Sequence, residues 1–416
     1  MSPELNKADV RILRELGKQI REIAGSPEMV ERRRLWTAHN DLQGERPMVI
    51  TEASGFIRPL IPGSACRCTE DWAKEIESGF VLTIAAREHV DDDSVVEPCV
   101  SYNWKVGLSD YGVRSEKQRG DNNGDLGSYR WDPALADLDA DFHKLHPRTC
   151  SVDREATMER KALLEEVFDG ILEVRPRGMN WWTMGMTWPA IDLVGLEGLM
   201  MLMYDNPQGL HRLMAFLRDD HIAVIEWYEK EGLLALNNEN DYIGSGSLGY
   251  TNDLPQNDRR EGGGVRLKDL WVLSESQETV GVSPEMFAEF VFPYQLPVME
   301  KFGLTYYGCC EPIHSRWDTL RRIPDLRKLS VSPWCDQEIM AEALGRDYVF
   351  CRKPNPELTS KPSFDEDAIR QDIRNTLDVA RDCNLEIVMK DVHTVADDPL
   401  RPGRWVQIAR EEIART

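Results

Sequence analysis

Regularly spaced apolar residues open the chain and predict helices. Five aliphatic side chains recur at three- and four-residue steps: Val10, Leu13, Leu16, Ile20 and Ile23. This spacing is typical of an amphipathic helix, because side chains three or four positions apart share one helix face. The turn sequence Gly25-Ser26-Pro27 interrupts the pattern, and a second helix restarts there and runs through Trp36. We therefore predict an N-terminal helical extension over residues 1–45.

A short apolar run marks the first strand. Arg46-Pro47 leads into the run from Met48 to Ala53, and Ser54-Gly55 ends it, as turn residues do at the end of a strand. Between 60 and 147 the periodicity is weak, and the segment is rich in Asp, Gly, Trp and Tyr. We interpret 60–147 as an irregular insertion over one end of the core.

Helix and strand patterns alternate over the rest of the chain. The helical patterns cover 153–168, 191–203, the long stretch from Pro207 to Gly232, 284–302, 314–323, 337–344, 365–382 and 399–414. The apolar strand patterns cover 171–174, 233–236, 269–274, 304–309, 328–332, 347–351 and 385–390. Strands separated by helices of this length indicate βαβ units and a parallel sheet.

The order of elements favours a closed barrel. No Gly-x-Gly-x-x-Gly motif follows the first strand, which disfavours a doubly wound nucleotide-binding sheet. We therefore predict an α/β fold, a single (β/α)8 TIM barrel over residues 46–416 that includes the insertion. Catalytic groups of such barrels lie at the carboxyl ends of the strands. The candidates are then Glu52, 180–182, 238–241, 274–278, 309–311, 332–334, 353–355 and 390–393.

Composition narrows the function classes. The 72 acidic and 50 basic side chains give a net charge of −22, which argues against binding to nucleic acid. No run of eighteen apolar residues exists that would span a membrane, and the charged N-terminal helix is unlike a signal peptide. We expect a cytoplasmic protein without a membrane partner. Nine cysteines, an odd number, then favour reduced thiols, with metal binding or catalysis at a few of them.

The densest group of reactive side chains follows the strand at 304–309. Cys309, Cys310, Glu311 and His314 lie within six residues, and thiolate, imidazole and carboxylate are the ligands that zinc prefers. Because side chains alternate along a strand, Cys309 and Glu311 are expected to face one way and Cys310 the other. The alternative is that both cysteines are small buried apolar residues and that Glu311 caps the next helix.

The last predicted strand adds a third potential metal ligand. Asp391 and His393 share one parity where this strand emerges from the core, and in a closed barrel the last strand returns close to the first. We predict His393 as a ligand beside Cys309 or Cys310 and Glu311, with one position open for water or substrate. A hydrogen-bonded loop histidine is the alternative.

Polar and aromatic residues at other strand ends suit substrate binding. Glu239 and Asp241 form a carboxylate pair for general acid–base chemistry. The alternative is that the Asn and Asp residues of 238–241 simply form a turn. The predicted substrate-binding residues are Glu52, Asn180, Trp181, Asn238 and Trp334. The tryptophans suit stacking or cation–π contact with a ligand, and a place in the core is the alternative for them.

One stretch resembles a known family. The sequence from Gly281 to Tyr294 contains Ser283-Pro284, Phe287, Phe290 and Pro293-Tyr294. This pattern is similar to a helix start of the uroporphyrinogen decarboxylase superfamily, most clearly of its cobalamin (corrinoid)-dependent methyltransferase branch. The Arg-Pro pair before the first strand, the Asn-rich segment after the long helix and the cysteine-rich strand come in the same order. The resemblance covers roughly 150–414.

The resemblance implies a (β/α)8 barrel and a zinc ion that works with a separate corrinoid protein. Methyltransferases of this branch hold zinc with a His-x-Cys pair and a late cysteine. Here the pair corresponds to Tyr307 and Cys309, or to Cys309 and Glu311, and the late position corresponds to His393. The decarboxylase branch has an arginine-rich first-strand loop, where this chain offers only Arg58. A tetra-acidic tetrapyrrole needs several cations, so its decarboxylation is disfavoured.

These observations lead to one functional hypothesis and two alternatives. We predict a zinc-dependent methyltransferase that moves a methyl group from an O- or N-methylated small molecule to the Co(I) of a corrinoid protein. Zinc would polarise the heteroatom as a Lewis acid, and Glu239 or Asp241 would supply or accept a proton. The alternatives are a decarboxylase or lyase acting on a smaller acid, and a binding module without turnover. The superfamily resemblance also implies association as a homodimer.

Overall fold

The structure is a computed structural model that describes residues 6–115, 117–119, 129–178, 183–260 and 262–416. Its helices are α1 Lys7–Ala24, α2 Pro27–Asn40, α3 Asp71–His89, α4 Leu138–Asp141, α5 Arg154–Phe168, α6 Thr187–Val194, α7 Leu196–Asp205, α8 Pro207–Lys230, α9 Pro284–Phe290, α10 Phe292–Met299, α11 Trp317–Leu320, α12 Gln337–Leu344, α13 Glu357–Ser360, α14 Glu366–Val379 and α15 Arg401–Ile413. Its strands are β1 Met48–Thr51, β2 Cys99–Tyr102, β3 Lys105–Leu108, β4 Lys117–Arg119, β5 Tyr129–Trp131, β6 Cys150–Asp153, β7 Glu173–Pro176, β8 Trp271–Ser274, β9 Leu304–Tyr307, β10 Leu326–Val331, β11 Val349–Arg352 and β12 Asn384–Met389.

Six parallel strands form the central sheet, in the order β1-β12-β11-β10-β9-β8. The first strand pairs with the last, with Met48 opposite Glu386 and Thr51 opposite Met389. The strands are almost wholly buried, as expected of a parallel sheet covered on both faces. The predicted α/β fold with a parallel sheet is therefore confirmed. All six carboxyl ends lie at one edge, which we call the carboxyl edge.

The eight-stranded closure stays a prediction. Strands β2 and β7 pair in parallel as a separate sheet, and within the described ranges no ladder joins them to the six-stranded sheet. The strand predicted at 233–236 is wrong. In its place the side-chain amide of Asn237 bonds to the backbone of Trp271, donating to its oxygen at 3.1 Å and accepting from its nitrogen at 2.8 Å. A side chain thus makes the contact with β8 that a strand would make.

Several predicted helices differ from those observed. The helix 191–203 is two helices, α6 and α7, because Gly195 between them has φ 79° and ψ 156°, which is far from helical geometry. The helix 284–302 is also two, α9 and α10, divided at Val291. The segment 314–323 contains a short 3-10 helix and the four-residue α11.

Helices α1 and α2 cover the predicted helical segments, and the insertion contains a helix that the pattern did not indicate. Asn6 and Ser26 cap α1 and α2 through their side chains. Within 60–147 lies α3, which the weak periodicity concealed and which packs against α1. Within the described residues, the structure contains no helix that is both long and apolar enough to cross a membrane.

Candidate functional site

A glycine turn directly after β9 places the two adjacent cysteines. Strand β9 ends at Tyr307, and Gly308 follows with φ +97°, a conformation that favours glycine. The Sγ atoms of Cys309 and Cys310 then lie 3.5 Å apart. The prediction that the two thiols face opposite ways is wrong, because strand alternation stops two residues before Cys309.

The Cys309 thiol lies beside a buried ammonium group. Lys390, which directly follows β12, places its Nζ 3.6 Å from Cys309 Sγ. The hydrogen bond with the Cys310 thiol and then the Lys390 charge lower the pKa of Cys309. Cys310 is half-buried, and its Sγ lies 3.3 Å from Asp391 Oδ2. The hydrogen bond with the Cys309 thiol, and then burial, raise the pKa of Cys310. Cys309 is therefore the thiol that ionises first.

The Lys390 ammonium lies among acidic groups from three elements. Burial opposes its charge, but Cys309, Asp391 and Glu52 together raise the pKa of Lys390 above its ordinary value. Glu52 follows β1 and accepts a 2.7 Å hydrogen bond from the hydroxyl of Tyr242. Lys390 is therefore protonated at neutral pH.

A second cluster, of buried carboxyl groups, borders the thiols. Glu311 is fully buried, and its two oxygens each accept a backbone N–H at 2.9 Å, one from Ser276 and one from Cys309. Burial raises the pKa of Glu311. Burial, with Glu278 and Glu311 nearby, raises the pKa of Glu275 well above its ordinary value. Glu275 therefore keeps its proton at pH values where an exposed carboxyl has lost it.

Hydrogen bonds fix the loop that carries Glu275. The Arg316 guanidinium donates to Ser276 Oγ at 2.9 Å and lies 4.4 Å from the centre of the Phe287 ring. The amide of Gln295 donates to the Glu275 carbonyl at 2.7 Å. Glu275 itself accepts the backbone N–H of Gln277 at 2.9 Å. This loop is thus held by Gln295 of α10 and by Arg316 of the 3-10 helix Ile313–Arg316, and its carboxyl group is preorganised.

The four predicted zinc ligands are not arranged as a metal site. Both oxygens of Glu311 face backbone N–H groups, and His393 is exposed in the loop after β12. In the part of the chain that the structure describes, no group of three or more His, Cys, Asp or Glu residues is placed to hold a metal ion. These side chains, as placed, do not fit zinc. The alternative helix-capping role of Glu311 is also wrong, since the helix at Ile313 has no side-chain cap.

The predicted acid–base pair lies in ion pairs with arginines of β7 and the residue after it. Arg175 Nη1 lies 2.7 Å from Glu239 Oε2, and Arg177 Nη1 lies 2.6 Å from Asp241 Oδ1. Glu239 is exposed, whereas Asp241 is buried and its pKa is raised by that burial. Asp241 and Arg177 line a cavity of about 280 Å³ between this segment and β8. Tyr242 also lines it.

The predicted substrate-binding residues have different surroundings. The Asn238 amide donates to the Leu254 carbonyl at 2.7 Å, so it holds the following loop. Trp334 is 63% exposed after β10. Glu52 lies near Lys390, as described above. Asn180 and Trp181 lie outside the described residues.

Sequence reasoning assigned no chemistry to three groups that the structure places at the site. Glu275 and Lys390 were candidates by position alone, as residues that follow strands. Arg316 follows the cysteine-rich segment by only a few positions. An acidic residue directly after an apolar strand was the available signal for Glu275, but only the fold shows that it is buried beside Glu311.

Comparisons with known proteins assign no family. No protein-family model matches the sequence, and no curated protein matches it. Among solved structures, a methyltransferase from Methanosarcina mazei is 14% identical and aligns over 92% of this chain and 98% of its own, with a TM-score of 0.49. A likeness of this size establishes neither a family nor an activity, and the superfamily resemblance stays a prediction.

Proposed function

We propose that this chain is a methyltransferase that moves a methyl group from an O- or N-methylated small molecule to a corrinoid protein. The observation that carries the proposal is that one edge of the sheet holds both a protonated ammonium, Lys390 after β12, and a buried carboxyl group of raised pKa, Glu275 after β8. Removal of a methyl group from oxygen or nitrogen leaves a basic heteroatom that needs a proton. Both groups meet that need.

The carboxyl group of Glu275 acts as the proton donor. Its oxygens accept the Gln277 N–H at 2.9 Å and the Thr183 hydroxyl at 3.3 Å, which fixes their position. Because burial raises its pKa well above the ordinary value, this group keeps its proton to higher pH than an exposed carboxyl group does. A positioned general acid of this kind contributes about 10²–10⁴ in rate.

The Lys390 ammonium stabilises negative charge on the departing heteroatom. It is 4% exposed, and a charge held in such surroundings acts more strongly than it would in water. Cys309, whose sulfur lies 3.6 Å from the Nζ, and Glu52 both favour its charged form. The corrinoid of the partner protein supplies the nucleophile, so this chain contributes binding, orientation and proton transfer.

Zinc has no step in this scheme, because the described side chains do not fit it. Metal content tests the point directly. Protein purified without chelators is measured by inductively coupled plasma mass spectrometry beside a Cys309→Ser/Glu311→Gln double variant. Equal, low zinc in both samples agrees with the arrangement described here. Near-stoichiometric zinc that the double variant loses would show that these side chains rearrange around a metal.

The activity test uses methyl-labelled substrates. A panel of O-methylated and N-methylated small molecules is incubated with the protein and reduced corrinoid proteins, and the label is followed into the corrinoid-protein fraction. We expect transfer that falls by about 10²–10³ in Glu275→Gln. Lys301→Met is the control, since the Lys301 pair with Glu226 lies on the surface. Transfer that is unchanged in Glu275→Gln would contradict the proposal.

A decarboxylase or lyase acting on a smaller acid is the second candidate. The observation that favours it is again Lys390, because an ammonium also binds a carboxylate. This function predicts carbon dioxide release without a corrinoid protein. Tight binding with no turnover in either assay would instead indicate a binding module.

A further inference from the structure

Two thiols with consecutive numbers meet at the carboxyl edge. The Sγ atoms of Cys309 and Cys310 lie 3.5 Å apart, and Cys310 is partly accessible. We propose that these two residues are a reversible oxidation site, at which a peroxide closes a disulfide bond between them. This role does not depend on the methyl-transfer function.

Cys309 is the thiol that reacts first. The Lys390 ammonium lies 3.6 Å from its sulfur, and a nearby cation favours the thiolate, which is the nucleophilic form. Hydrogen peroxide is only slightly larger than water, and it reaches the site from the solvent-accessible side of the half-buried Cys310. Cys310 then serves as the resolving thiol, since it already touches Cys309.

The step is balanced in two stages. The Cys309 thiolate attacks one peroxide oxygen, the O–O bond breaks, and Cys309 becomes a sulfenic acid while hydroxide leaves and takes up a proton as water. The Cys310 sulfur then attacks the Cys309 sulfur, the S–O bond breaks, and the Cys310 proton leaves with the hydroxyl as a second water. Two thiols are oxidised, and one peroxide is reduced to two waters.

Chain geometry makes this disulfide easy to reduce. Adjacent Cα atoms are about 3.8 Å apart across a trans peptide, whereas disulfides usually join Cα atoms about 4.4–6.8 Å apart. A bridge between neighbours is therefore strained, and strained disulfides have the more oxidising potentials typical of labile bonds. We expect a dithiol to reverse the oxidation.

Ring closure also acts on the candidate site. The Cys309 N–H donates to Glu311 Oε2 at 2.9 Å, and the Cys309 carbonyl accepts from Ser330 Oγ at 2.8 Å. Bringing the two sulfurs to bonding distance rotates the backbone between them and disturbs both contacts. Oxidation thus alters the surroundings of Glu311.

Cys351 provides a comparison within the same fold. Its sulfur lies 3.0 Å from Lys353 Nζ and 3.1 Å from the Tyr306 hydroxyl, and it is fully buried. It thus has an ammonium neighbour, as Cys309 has, but it is sealed from solvent and contacts a phenol rather than a second thiol. We expect no disulfide at Cys351.

Peptide mass spectrometry tests the proposal on the full chain. Reduced protein is treated with hydrogen peroxide, its remaining thiols are blocked with N-ethylmaleimide, and it is digested. The peptide with both cysteines should be lighter by two hydrogen atoms and carry no N-ethylmaleimide. After reduction with dithiothreitol and a second treatment with N-ethylmaleimide, it should carry two labels. Full labelling after peroxide, or irreversible sulfinic acid as the main product, would overturn the proposal.

Three variants separate the roles of the groups. Cys310→Ser should leave a Cys309 sulfenic acid that dimedone traps, and Lys390→Met should slow oxidation on the order of tenfold because the thiolate is less favoured. Cys66→Ser is the control, since Cys66 is an exposed thiol elsewhere. Disulfide formation that Cys66→Ser abolishes would show a different pairing and reject the assignment.

Discussion

The ammonium of Lys328 in β10 lies 2.8 Å from Oε2 of Glu386 in β12, and both side chains are completely buried although β11 separates the two strands. His39, from α2, places its Nε2 3.1 Å from the same oxygen. The three groups tie β10, β12 and the N-terminal helices together inside the molecule. A buried pair of this kind is costly to break, because the remaining charge has no partner.

Removing one member of this pair should destabilise the fold strongly. Lys328→Met is expected to lower the free energy of unfolding by about 3–5 kcal/mol, since the buried Glu386 carboxylate then loses its ammonium partner. Urea unfolding followed by circular dichroism measures the change. Lys301→Met, which breaks a surface pair with Glu226, should cost about 1 kcal/mol or less. Equal effects of the two substitutions would contradict this account.

Stability should fall in acid because of Glu386. Although burial opposes ionisation, Lys328 and His39 lower the pKa of Glu386 below its ordinary 4.5. A lowered folded-state pKa gives stability that is present above 4.5 and lost as pH falls below it, at up to about 1.4 kcal/mol per pH unit. A Lys328→Met/Glu386→Gln double variant should lose less stability between pH 6 and pH 3 than the natural chain. Parallel pH profiles would show that Glu386 does not titrate as described.

Glu275 should have the opposite pH dependence. Its pKa is raised well above 4.5 by burial and by Glu278 and Glu311, so its contribution to stability is full below 4.5 and is lost as pH rises through the raised value. Glu275→Gln removes the ionisation. We expect the free energy of unfolding of this variant to exceed that of the natural chain more at pH 9 than at pH 5. A constant difference between the two proteins would contradict the prediction.

Gly308 should not tolerate a side chain. It has φ +97°, and an added Cβ would lie 3.3 Å from side-chain carbons of both Ile313 and Ser330. Gly308→Ala should therefore lower the free energy of unfolding by about 1 kcal/mol or more. Gly79→Ala is the matched control, because Gly79 lies within α3 with nothing within 4 Å of an added Cβ, and it should stabilise by about 0.5–1 kcal/mol. A Gly308→Ala protein as stable as the natural one would show that the turn is not required.

Substitutions of Asp241 and Glu239 distinguish a structural role of these carboxylates from a catalytic one. Asp241→Asn removes a buried charge that Arg177 pairs at 2.6 Å, whereas Glu239→Gln changes an exposed carboxylate. We expect the melting temperature to fall in Asp241→Asn and to stay nearly constant in Glu239→Gln. If Asp241→Asn folds with unchanged stability but abolishes turnover, Asp241 belongs to the catalytic groups instead.

Much of the fold after residue 269 could be predicted from the sequence. Helix α12 lies where its pattern predicted it, and β8 to β12 each fall within two residues of the predicted starts. These strands are short apolar runs between turn residues, and helices α12 and α14 have clear three- and four-residue periodicity. Local pattern suffices there because each element buries one well-defined apolar surface.

Other features depended on contacts between distant segments. The segment at 233–236 is apolar enough for a strand, but the Asn237 side chain takes the hydrogen bonds of Trp271. Helix α3 packs against both α1 and the 3-10 helix Glu52–Leu60. Its faces therefore differ little in hydrophobicity, and the sequence pattern did not reveal it. Neither result follows from periodicity, which reports only how residues alternate along the chain.

The candidate site, too, was only partly determined by the sequence. By itself, the sequence determined that reactive residues follow the ends of parallel strands, because strand direction and the alternation with helices place those ends at one edge. The tertiary structure decided which of them meet. The turn at Gly308 brings the two thiols together, Lys390 lies beside Cys309, and Glu275 is buried near Glu311. The reason is physical, since burial and the field of neighbouring charges set the chemistry of a side chain, and both arise only when segments far apart in the chain pack together.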